Sequence, residues 1–214
     1  AVASLFTFIS TLHSLCDSPA WVPGDTNGVQ LDPNVEKIAQ VIMPAIMETW
    51  EAEDDRTAAI EICQSFASCL NKCGPGLISP QWIEPTCQLT MQILEKKAPS
   101  QIDPEADEDE ETEDSSEYES VLISAAMDLV GAMAYVLCDS FMTPMRQFLP
   151  LLCKYYSPGR SVTDRATAIG SLGEITVNMK RAITPFTQDI LAILSHAVGD
   201  EDASVRSNAA FAAG

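Results

Sequence analysis

Asp164-Arg165-Ala166-Thr167-Ala168-Ile169-Gly170-Ser171-Leu172-Gly173-Glu174-Ile175 belongs to a segment, Val162 to Met179, that reads as a helix opening on Asp then Arg. The same opening occurs at Asp55-Arg56 and, more loosely, at Asp202 with Arg206; Arg165 and Arg206 lie 41 residues apart. A second kind of helix alternates with the first and begins near a polar residue and Pro: Asp32-Pro33, Ser79-Pro80, Thr143-Pro144, in a helix read from Phe141 to Tyr156, and Thr184-Pro185. Proline suits a first helical turn, where its missing N–H has no partner to lose. Pro144 and Pro185 are again 41 residues apart, Pro33 and Pro80 are 47 apart, and Pro80 and Pro144 are 64 apart. The excess in the last interval is about the size of an acidic run that falls inside it. A helix pair repeating every ~40–47 residues is the HEAT spacing. The sequence therefore predicts an all-α fold: a right-handed HEAT-repeat solenoid of about four helix pairs over residues 1–214, partial at both ends and a fragment of a longer superhelix. Pro44, Pro85 and Pro150 lie further into three Pro-started helices and are expected to bend them.

The Asp and Arg have a physical role in such a stack. An Asp at a helix start caps orphan N–H groups. An Arg one step on can reach an acid of the neighbouring repeat. Asp55, Arg56, Asp164, Arg165 and Arg206 are accordingly read as a repeat ladder, with ligand binding as the other reading of Asp164 and Arg165.

Composition agrees with helices. Apolar residues make up 46% of the 214 and aromatics only 7%, which favours helix over a sheet sandwich. The formal charge is −19, and 11 acidic residues with no Lys or Arg fall between Asp103 and Glu119, leaving −8 for the rest. That balance argues against nucleic acid, whose phosphates need Lys and Arg, and for basic protein partners or plain solubility. No run of 18 or more apolar residues suggests a membrane span, and neither a signal-peptide pattern nor an N-x-S/T acceptor occurs. Seven cysteines include no C-x-x-C pair, and neither His13 nor His196 has ligand spacing to a Cys. Reduced core thiols, with no metal and no cofactor, are expected. P-loop, dinucleotide, zincin and serine-hydrolase motifs are all missing, which leaves no basis for an enzyme.

The Asp164–Ile175 stretch resembles the importin-beta (karyopherin-beta) family of nuclear transport receptors. So do Phe148-Leu149-Pro150-Leu151-Leu152-Cys153-Lys154-Tyr155-Tyr156, Val205-Arg206-Ser207-Asn208-Ala209-Ala210-Phe211-Ala212 and, after the acidic run, Glu119-Ser120-Val121-Leu122-Ile123-Ser124-Ala125-Ala126. The subgroup most similar is the importin-four type and its fungal ribosomal-protein and histone import counterpart. The resemblance implies cytoplasmic and nuclear shuttling, basic cargo with nuclear localisation signals, Ran GTPase and Phe-Gly nucleoporins as partners, and no membrane insertion. It implies that the second helix of each pair lines a concave cargo face and the first a convex, nucleoporin-facing side. A HEAT scaffold that organises a phosphatase-like or other multiprotein complex is the alternative.

On the second helices, polar residues recur opposite the apolar stripe: Glu61, Gln64 and Ser68, then Asp128 and Tyr135, then Thr167, Ser171, Glu174 and Asn178, then Asn208. Carboxylates and amides in that pattern suit Lys- and Arg-rich segments, and these ten are the candidate cargo-binding residues. The acidic loop, Asp103, Glu105, Asp107, Glu108, Asp109, Glu110, Glu111, Glu113 and Asp114, has no apolar periodicity; residues 99–116 are expected to be disordered. It is either a soluble spacer or a polyanion that competes for, or steers, basic cargo. Ser116 with Glu119 reads as a capping box, and as a phosphorylation site in the other reading.

Overall fold

The computed structural model describes residues 1–16, 21, 31–102 and 113–214, with side chains of 113–116 left aside. Among these residues there are nine α-helices and no strand. They are α1 (Val2–Leu15), α2 (Pro33–Glu51), α3 (Arg56–Cys73), α4 (Pro80–Leu94), α5 (Glu113–Leu137), α6 (Met142–Tyr155), α7 (Val162–Met179), α8 (Thr187–Ala197) and α9 (Ala203–Ala213). The odd-numbered helices pack each on the next, α1 on α3, α3 on α5, α5 on α7 and α7 on α9. The even-numbered helices form a second layer over them: α2 packs on α1 and α4, and touches α3 through Trp50 and Phe66, while α4 packs on α5, α6 on α7 and α8 on α9. In chain order α2–α3, α4–α5, α6–α7 and α8–α9 are four successive pairs. The all-α HEAT-type array expected from the spacing is the architecture observed.

Apolar side chains at helical spacing build the core between the layers. Phe6 stacks on Phe66 with centroids 4.3 Å apart, joining α1 to α3, and Trp50 of α2 meets Phe66 edge-on at 6.2 Å. Phe6 and Phe66 are fully buried, each contributing roughly 1.5–3 kcal/mol of hydrophobic stabilisation. α5 is long and apolar enough to span a membrane by length and composition. This refines the expectation that no such stretch exists, and the physical reason lies in its position. Leu122, Ala126, Leu129, Val130 and Met133 are all fully buried, because α5 contacts α3, α4 and α7 at once.

Helix starts follow the sequence signals only in part. Asp32 caps α2, accepting from Asn34 N–H at 2.8 Å, with Pro33 at the first position; Pro80 likewise opens α4. α6 begins at Met142, so Pro144 falls in its first turn, as expected; Pro185 does not open a helix but lies in a 3₁₀ segment, Lys180–Phe186, before α8 starts at Thr187. The cause is a corner shared by three repeats. Gly74, Cys138 and Lys180 have φ of 70°, 46° and 50° just after α3, α5 and α7. Each begins a 3₁₀ segment that turns the chain towards the other layer. Pro44, Pro85 and Pro150 all fall inside even-layer helices.

The acidic insert lies between the two helices of one pair. Residues 103–112 are outside the described residues. Its flanks are more regular than expected: Pro99–Gln101 form a 3₁₀ turn and α5 already begins at Glu113. Ser116 therefore sits within α5 rather than at its cap. Glu119 accepts a hydrogen bond from Gln101 Nε2 at 2.9 Å and pairs with Lys96 at 3.5 Å, tying the insert's two ends together.

A candidate functional site across three stacked helices

Gln64 and Ser68 of α3, Asp128 and Tyr135 of α5, and Glu174 and Asn178 of α7 line one groove of about 680 Å³. These are six of the ten side chains selected from the sequence, and they come from three successive repeats. Glu61 lines a neighbouring groove between α1 and α3, where Gln64 also contributes. The helical period explains the convergence: positions four and seven apart fall on one face, and that face is open because the apolar stripe of each helix is turned inward.

Five further residues shape the groove and were not selected from sequence: Ala67, Asn71, Lys72, Gly131 and Ala132. Gly131 forms part of the floor, where a Cβ would stand 3.4 Å from Glu174 Oε2. Asn71 and Lys72 close one end. Spacing could have found them, since they follow Ser68 by three and four residues.

Electrostatics mark where a cation would be welcome. Partial burial, and then the charge of Glu174, raise the Asp128 carboxyl above its ordinary range. Beneath it the Cys63 thiol is pushed up to about 12, by burial first and by Asp128 second. Tyr135 is held at the other end by Trp21, whose ring meets it edge-on at 4.9 Å. Trp21 also packs over Gly74, where a Cβ would lie 2.5 Å from the indole.

The remaining selected residues are placed differently. Asn208 donates from Nδ2 to the Ala166 carbonyl at 2.8 Å, bridging α9 to α7. Ser171 is buried and Thr167 is half-buried. The ladder is real at one rung and altered at others. Arg165 donates to both Asp200 oxygens at 3.2 and 3.1 Å and to Glu201 at 3.2 Å, so it reaches the next repeat, at Asp200 rather than Asp202. Arg206 instead donates to the Asp200 and Glu201 carbonyls of its own loop. Arg56 Nε donates to the Ser100 carbonyl at 3.0 Å. Asp55 and Asp202 are caps, accepting from Ala58 and Ser204 N–H at 2.7 and 2.8 Å. Asp164 is not: Ser161 caps α7, and Asp164 in its first turn lies 3.9 Å from Arg160. The two Asp-Arg pairs are thus out of register by three residues, one at a cap and the other inside a helix.

A second, more apolar groove of about 710 Å³ separates α6 from α8 and is lined by Cys153, Tyr156, Ala192, Ile193 and His196. All seven cysteines are free thiols; those of Cys69 and Cys73 are 3.8 Å apart and buried. No metal cluster forms among the described residues.

No protein-family model matches the sequence. Among curated proteins, it is similar to a probable importin subunit beta-4 of Schizosaccharomyces pombe, 32% identical over 222 aligned positions that take in the whole chain and 21% of that protein. Human importin-4 is 27% identical over 99% of the chain and 19% of its own length, and mouse importin-4 is 28% identical over 86% and 17%. The chain spans about a fifth of the length of these relatives. Along its whole length it is thus related to a segment of the importin-beta family.

Proposed function

We propose that the chain is part of a nuclear import receptor that binds basic cargo, of histone or ribosomal-protein type, through the face formed by α3, α5 and α7. The observation that carries this reading is the convergence of Asp128 and Glu174, flanked by amides, in one groove. Charge-assisted bonds from Lys or Arg to such carboxylates are shorter and stronger than neutral ones. The importin names of the relatives support the transport role, and a receptor of this kind has no catalytic work. Shuttling between cytoplasm and nucleus, and cargo release by GTP-bound Ran, belong to the same reading. The α6–α8 groove, mostly apolar and bordered by the Arg165–Asp200 pair, is its place for a Phe-Gly motif. A pull-down of a full-length array containing this segment, with a basic histone tail and Ran in each nucleotide state, tests the proposal. The tail should be retained and then released by the GTP form alone; a tail that is never retained, or is released by neither form, contradicts it.

A further inference from the structure

The three-helix groove is not acidic throughout. Cys63 of α3 faces Asp128 of α5. Further along both helices, Gly74 and Tyr135 share Trp21. α3 and α5 therefore run parallel, and the groove has a chemical direction. Asp128 lies at one end with Glu174 near it. Lys72 and Tyr135 lie at the other end, seven residues beyond Asp128 along α5 and so about 10 Å away at 1.5 Å per residue. Between them Ala67, Ser68, Gly131 and Ala132 form a low saddle, with the carboxylate of Glu174 reaching over Gly131 from α7. Lys72 is exposed and, among the described residues, enters no ion pair.

We infer that this groove takes a mixed-charge segment of a partner protein, with a Lys or Arg between Asp128 and Glu174 and an acidic side chain facing Lys72, rather than an uninterrupted basic tract. The inference rests on the basic-partner reading above and narrows it. An extended chain advances ~3.4 Å per residue and turns alternate side chains to opposite faces, so two charges that enter one groove about 10 Å apart stand two or four residues apart, the longer spacing leaving slack for the backbone to cross the saddle. A second cation at the far end would meet Lys72 and be repelled. A carboxylate there gains an ion pair, and the saddle accommodates the backbone that joins the two. The far end thus selects among basic partners that the net charge of −19 attracts alike.

The test uses two fluorescein-labelled Gly/Ser peptides read by anisotropy against the chain. One carries Lys and Glu four positions apart, and the other carries Lys at both positions. Lys72→Glu should move the ratio of their affinities towards the dilysine peptide by about threefold or more, since exposed pairs contribute ~0.2–1 kcal/mol each. Lys154→Glu on α6 changes the net charge equally and should leave the ratio unchanged. Gly131→Leu fills the saddle without altering charge and should weaken both peptides. Overturning results are a ratio indifferent to Lys72→Glu, or one moved as far by Lys154→Glu. Binding of both peptides undiminished by a folded Gly131→Leu chain would overturn it as well. A basic histone tail added in parallel separates the two readings. Tail binding with a ratio indifferent to Lys72 removes the mixed-charge inference and leaves the import reading. A ratio that follows Lys72 in a chain that ignores the tail does the reverse.

Discussion

Two aspartates in two neighbouring junctions of the stack have opposite environments. Asp200, between α7 and α9, is held below the ordinary carboxyl range, by its hydrogen bond from Arg165 first and by the Asp202 N–H second. Asp128, between α3, α5 and α7, is held above that range, by partial burial first and by Glu174 second. The two junctions differ in the same sense in their packing. At α7–α9 a Cβ on Gly173 would stand 2.9 Å from the Ala212 Cβ, and one on Gly170 would stand 3.1 Å from Asn208 Nδ2. The helix contact there is tight, and Arg165 and Asp200 satisfy each other within the chain even though, with Glu201, they border the 710 Å³ groove. At α3–α5–α7 the small residues meet no partner of that kind, and the carboxylates face a groove. One stacking scheme thus yields a sealed joint where the repeat supplies its own counter-charge and a binding surface where it does not.

The comparison breaks most visibly with one substitution made at both joints. Gly173→Leu would overpack the closed junction and should destabilise the chain by about 1–3 kcal/mol. Gly131→Leu meets only the mobile end of Glu174. There the gain from replacing a mid-helix glycine, roughly 0.8 kcal/mol, should keep the midpoint of urea unfolding close to that of the parent. Equal losses at the two sites would remove the distinction between closed and open joints.

The corner residues give a smaller effect. Lys180 has φ 50° and ψ −119°, a conformation that disfavours a Cβ. Lys180→Gly should stabilise the chain by up to about 1 kcal/mol, offset in part by the greater freedom of glycine when unfolded. A thermal melt that falls rather than rises would show that this side chain makes a contact that outweighs the strain.

The pH dependence sharpens the contrast further, with opposite signs. The contribution of Asp200 is present in full above the ordinary Asp value and is lost as pH falls through its lowered one. Asp200→Asn should therefore cost more at neutral pH than in acid. For Asp128 the charged form is the unfavourable one, so the parent loses stability as pH rises from the ordinary Asp value through the raised one. Asp128→Asn should equal or exceed the parent at neutral pH and lose that advantage in acid. Melting temperatures from about pH 2 to 7 check both; matching slopes in the two variants would contradict the assignment.

What the sequence showed and what it hid divide along physical lines. The repeat was legible because helix pairs of fixed length leave a fixed spacing, and α7 was placed from Val162 to Met179 at both ends. Six groove residues were legible because a helix face is a matter of period alone. The corners were not: only Gly74 announces its positive φ, whereas Cys138 and Lys180 adopt theirs under tertiary constraint. Pro185 was misplaced as a helix start for that reason. The equivalence of Asp55-Arg56 with Asp164-Arg165 failed because a dipeptide does not fix its register against a cap, and Ser161 had taken the capping position in α7. Asn208 was placed on the binding face by its period, yet its amide bonds to Ala166 of the next helix, a pairing no single-helix pattern contains.

The central claim is that the α3–α5–α7 groove, rather than net charge alone, captures basic segments. Anisotropy titration of a labelled Lys- and Arg-rich histone-tail peptide against the chain and its Asp128→Asn, Glu174→Gln double variant tests this most directly. The account predicts binding weakened about five- to tenfold at about 0.1 M salt, a gap that narrows towards 1 M as the Debye length falls from ~10 to ~3 Å. Affinity equal to that of the parent at every salt concentration would contradict it.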